Sequence, residues 1–154
     1  MIAFLKDFSR QLDECNNLEQ IFMLVQEAVK KSIQIRRDNM QISLMNLPSF
    51  IGGFHPLGSN VIGVNKGLLQ AVLEICGKKT AKSFLFHVLL HEYLHSLGLV
   101  DEGRTDALAY QISENLLGEN HPSTLIARYG LASAFHIKDK EKEKETKIEI
   151  TFYG

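Results

Sequence analysis

The chain has 154 residues, an ordinary apolar share of 45% and a formal net charge of −1, from 17 Lys and Arg against 18 Asp and Glu. That length suits a single domain with a core of its own. The near-zero charge excludes the basic surface a nucleic-acid binder needs, and no apolar run is long and clean enough to span a bilayer.

The N-terminal stretch MIAFLKDFSRQLDEC places acids and polar residues where a signal peptide needs unbroken apolar sequence. A cytoplasmic location is therefore expected, with Cys15 and Cys76 as reduced, partly buried small side chains. Residues 2 to 14 and 18 to 32 carry helical periodicity, and Ile21, Leu24, Val25, Ala28 and Val29 fall on one face of the second segment. MQISLMNL, 40 to 47, alternates like a strand and ends at Pro48. SFIGGFHPLGSN reads as a loop or an irregular hairpin. NVIGVN, 60 to 65, is a second short strand, and 66 to 76 is a helix that Gly77 ends.

Thr80 is the expected N-cap of the next helix, which is apolar nearly all round and so should run through a core. Gly98 stops it. Asp101 or a neighbour starts another helix through Leu117, and Pro122 opens a short last one to Arg128. Residues 138 to 147 are nearly all charged, a solvated segment by composition, and KIEITFYG closes the chain with strand-like alternation. The expected organisation is a compact α/β (α+β) domain over 1–137, a small mixed sheet around a buried helix, followed by a charged segment and C-terminal strand over 138–154.

That buried helix contains His91-Glu92-Tyr93-Leu94-His95. Histidines at i and i+4 share one helix face, so both rings can reach one ion. Glu92 lies about one hundred degrees round the helix, placed to hold a water rather than to ligate. Catalytic zinc needs three protein ligands, an open position and a base for its water, and HExxH supplies two ligands and the base. A bare HExxH also arises by chance. Against chance stands the host helix: unpaired polar groups buried there would cost roughly 1–3 kcal/mol each, a cost that zinc removes. Gly98 then lets the chain fold back, and an acid, Asp101, follows three residues later.

His91 to Asp101, HEYLHSLGLVD, resembles the metzincin metallopeptidase signature, HExxHxxGxx followed by a ligand. The resemblance implies a zincin-like fold, a Zn2+ ion held by His91, His95 and Asp101, Glu92 as general base, and hydrolysis of peptide or protein substrates. It also implies a strand, here NVIGVN, edging the cleft and pairing with an extended substrate. Two features depart from it. The last methionine is Met45, so the methionine turn beneath the metal is missing or built differently. Glu102-Gly-Arg-Thr-Asp106 also resembles the ExxxD of the gluzincins, in which the glutamate is the third ligand and the aspartate supports a histidine. The short gap from His95 and the turn at Gly98 favour Asp101, with Glu102 as the alternative. A zinc-binding scaffold or regulator without turnover is the rival from another class, although a purely structural site needs no base.

His87, one turn before His91, reads as a core histidine or a partner of the ligands. His55 could approach the cleft from its loop, though loop histidines are usually only exposed. Tyr93 and Tyr110 read as packing residues, and Asp106 as either an acceptor for a ligand ring N–H or an ordinary helix charge.

Overall fold

The computed structural model describes residues 2–133 and 135, with the side chains of residues 2–6 left aside. Among these residues the chain forms α1 (Ile2–Glu14), α2 (Leu18–Ile33), β1 (Gln41–Met45), β2 (Gly53–Phe54), β3 (Val61–Asn65), α3 (Lys66–Cys76), α4 (Lys78–Ser96), α5 (Glu102–Leu117) and α6 (Pro122–Tyr129). The α+β class and the small mixed sheet follow expectation. The charged segment and the KIEITFYG strand expected over 138–154 lie outside the described residues.

Local chemistry sets most boundaries. Asn17, Asn65 and Asp101 each sit at an N-cap and accept the backbone N–H three residues on, which satisfies donors that the first helical turn leaves unpaired. Pro122 opens α6 at its first turn, where a missing N–H costs nothing. Gly98 adopts φ +106 just past the end of α4, a conformation that other residues adopt only with strain. Thr80 is not a cap. α4 begins two residues earlier, directly after Gly77, and Ala81 N–H already donates to Gly77 O at 3.0 Å. Gly77, at φ +94, turns the chain between α3 and α4 without a linker.

The sheet has the order β1-β3-β2, with β1 parallel and β2 antiparallel to β3. The irregular-hairpin reading of the Gly-rich stretch corresponds to β2. β3 is the central strand, and its Ile62 and Val64 are fully buried. α4 runs through the middle, packed on α2, α3, α5, α6 and the sheet. The predicted face of α2, Ile21 to Val29, meets it and is buried, as are Phe84, Phe86, Leu89, Leu90 and Tyr93 of α4. Each such side chain contributes roughly 1.5–3 kcal/mol on leaving water, so α4 is rigidly placed. Cys15 and Cys76 are both buried. No helix among the described residues is long and apolar enough to cross a membrane.

Candidate metal centre

His91 and His95 stand in the last two turns of α4, and Glu102 opens α5 after the turn at Gly98. The turn folds α5 back so that the Glu102 carboxylate straddles both rings. Its Oε1 lies 3.1 Å from His91 Nε2 and its Oε2 lies 3.0 Å from His95 Nε2. One ligand atom from each of the three residues lies within 4.8 Å of the others, so together they could hold a metal ion.

Asp101, expected as the third ligand, is not brought to the histidines. Its Oδ2 accepts the Arg104 N–H at 2.8 Å as the N-cap of α5. A carboxylate bent over the first turn of its own helix points along that helix and away from α4. Glu102, one residue inside the helix, projects sideways across the gap.

Two contacts set the rings. His95 Nδ1 lies 2.7 Å from Leu99 O; a carbonyl only accepts, so Nδ1 carries the proton. His91 Nδ1 lies 3.3 Å from Asp106 Oδ1, which places Asp106 beside the ring on the side away from Nε2. With both rings protonated at Nδ1, the two Nε2 atoms present lone pairs toward the Glu102 oxygens. Such a convergence is repulsive by itself and is stabilised by a divalent cation. The donor set therefore fits a metal.

Glu92 points elsewhere, as the helix periodicity requires. It is 8% exposed, and burial pushes its carboxyl up to about 7; Glu102 adds to the rise and His95 opposes it. A bound cation nearby would pull it down again. Burial also lowers the pKa of His91. Gly53 of β2 packs directly on Glu92: a Cβ there would stand 3.1 Å from Glu92 Cγ and 2.5 Å from Val88 Cγ1.

Glu92 and Glu102 line two adjoining hollows. One, of about 650 Å³, is walled by Leu47, Phe54, His55, Leu57 and Val100 and also exposes His95. The other, of about 510 Å³, exposes His91, His87, Asp106 and Arg128. His87 is a buried side chain whose Nδ1 has no partner among the described residues, and burial drives its pKa down to about 3. Tyr93 is fully buried, with its hydroxyl accepting Arg37 N–H at 2.7 Å. Tyr110 donates to Glu114 Oε2 at 3.1 Å. Both tyrosines are occupied with packing or local bonds, as their positions suggested.

His55 does reach the cleft wall, the less common of the two outcomes its loop position allowed. Two features escaped the sequence: the close approach of Gly53 to Glu92 and the role of Arg37. The arginine donates to Ser96 O at 2.7 Å and to Ser59 O at 3.0 Å, tying the end of α4 to the loop before β3. No local pattern marks either of them. No family model, curated protein or solved structure matches the chain.

Proposed function

We propose that this chain is a zinc-dependent peptidase with a gluzincin-like ligand set, in which His91, His95 and Glu102 hold the metal and Glu92 is the general base. The observation that carries the reading is the convergence of His91, His95 and Glu102 beside a buried carboxylate that takes no part in it. A purely structural site has no use for such a group. Zinc bound there would polarise the scissile carbonyl and make water acidic enough to lose a proton near neutrality.

The chain's own residues do the rest. Glu92, in an environment that raises its proton affinity, takes a proton from the attacking water and returns it to the leaving amine. Leu99 O holds the His95 imidazole through Nδ1, and Asp106 lies beside Nδ1 of His91. The hollows on either side of Glu92 leave room for an extended chain to pass the site, and the peptide bond is the bond such a chain offers repeatedly. The ligand assignment uses the ExxxD resemblance of 102–106 in preference to the Asp101 reading.

The test is digestion of a broad peptide library by zinc-loaded protein, wild type beside Glu92→Gln. Cleavage by the wild type that collapses in the variant supports the reading. A zinc-loaded wild type that cleaves nothing overturns it and leaves a metal-binding scaffold.

A further inference from the structure

Among the described residues, His55 is the cleft group outside the ligand set and Glu92 whose chemistry is most constrained. It follows β2 directly and is half-buried in the wall of the 650 Å³ hollow that also exposes Glu92, His95 and Glu102. Its Nδ1 lies 2.8 Å from Val61 O. The carbonyl can only accept, so Nδ1 is the protonated nitrogen. Nε2 has no hydrogen-bond partner among the described residues and is not a buried atom. In the neutral ring it is an open acceptor on the cleft wall.

The loop that carries it is held. Ser59 N–H and Ser59 Oγ–H both donate to Pro56 O, at 3.0 and 2.7 Å, and close the turn after His55. Arg37 then clamps Ser59 O to Ser96 O at the end of α4, and Tyr93, two residues from His91, holds the Arg37 backbone N–H through its hydroxyl. The acceptor is thus fixed relative to the ligand-bearing helix through hydrogen bonds alone, the kind of preorganisation that costs nothing when a ligand arrives.

We infer that His55 is a substrate-binding residue: its Nε2 accepts a backbone N–H of a peptide lying in the cleft. The inference rests on the peptidase reading for the ligand's class, but it can be tested without turnover. The probes are acetohydroxamate, which engages only the metal, and a dipeptide hydroxamate, which adds peptide N–H groups. Both are titrated into zinc-loaded wild type, His55→Asn and His55→Gln.

Asparagine keeps a donor for Val61 O but places nothing at Nε2, whereas the glutamine amide reaches about the Nε2 position. His55→Asn should keep its zinc and thermal midpoint, bind acetohydroxamate as wild type does, and bind the dipeptide hydroxamate about tenfold more weakly. His55→Gln should regain part of that loss. Equal weakening of both probes in His55→Asn would mean a purely structural effect and overturn the inference. So would unchanged dipeptide binding, or a wild type that binds the dipeptide probe no better than acetohydroxamate. If the tenfold loss is found and the wild type cleaves no peptide, the peptidase reading falls and His55 stands as a residue that binds a peptide N–H without turnover.

Discussion

His91 Nε2 lies 3.1 Å from His95 Nε2, with the two rings edge to face and the Glu102 carboxylate bridging them. His95 Nδ1 is held by Leu99 O, so with both rings protonated at Nδ1 the two Nε2 lone pairs and the carboxylate converge on one point, as the ligands of a cation do. The relationship is the ground for proposing the residue at 102, and not at 101, as the third ligand.

Glu102→Gln should therefore lower metal affinity, by roughly tenfold or more, since a charged ligand becomes a neutral one. Asp101→Ala should leave metal affinity unchanged and cost about 1 kcal/mol of stability through the lost N-cap. Competition titration against a chelator and urea unfolding read the two effects separately. The opposite order of metal affinities would restore Asp101 as the ligand.

Glu92→Gln should retain one metal ion per chain and the wild-type fold, because Glu92 is outside the ligand set. Turnover should fall by about a hundredfold or more. Metal analysis paired with kcat is the measurement, and full activity in the variant would remove Glu92 from the mechanism.

Gly53→Ala puts a methyl group 2.5 Å from Val88 Cγ1 and 3.1 Å from Glu92 Cγ. Val88 or the β2 backbone must shift, and the Glu92 side chain must give by a few tenths of an ångström, at a cost of about 1–3 kcal/mol for an overpacked site. Stability and kcat should fall while metal affinity holds. An alanine variant with unchanged kcat and urea midpoint would show that the contact is without consequence.

His121 caps α6 through Nδ1, accepting the Ser123 N–H at 3.1 Å. Burial lowers its pKa to about 4, with Lys79 adding to the depression and Asp13 opposing it. A folded-state pKa below the unfolded one means that the unfolded chain binds the proton first. The stability His121 contributes is present above about pH 6.5 and is lost as pH falls toward 4, by up to about 1.4 kcal/mol per pH unit. His87 acts in the same sense, and Glu92, with its raised pKa, in the opposite one. The informative quantity is thus a difference. In metal-free protein His121→Asn, which keeps an N-cap acceptor, should gain stability relative to wild type as pH drops from 7 to 5. Parallel stability profiles would contradict the buried neutral state of His121.

The local features of this protein were legible in its sequence because they depend on residues within a turn or two of one another. The i and i+4 spacing of His91 and His95, the buried face of α2, the stop at Gly98 and the start of α5 near Asp101 are of this kind. The sequence pattern suits Asp101 both to the start of a helix and to a ligand, yet one carboxylate cannot lie over its own first turn and also reach across to α4. Backbone hydrogen bonding claims it first, and the adjacent Glu102 is the carboxylate that comes to lie beside His91 and His95. Only the tertiary structure decided that, since the direction of each side chain depends on how α5 docks after the Gly98 turn. The same holds for the parallel pairing of β1 with β3, for β2 laid against Glu92 with room for no Cβ, and for His55 brought to the cleft by a loop that Arg37 ties to Ser96. These contacts join segments tens of residues apart, and periodicity and spacing carry information only about neighbours along the chain.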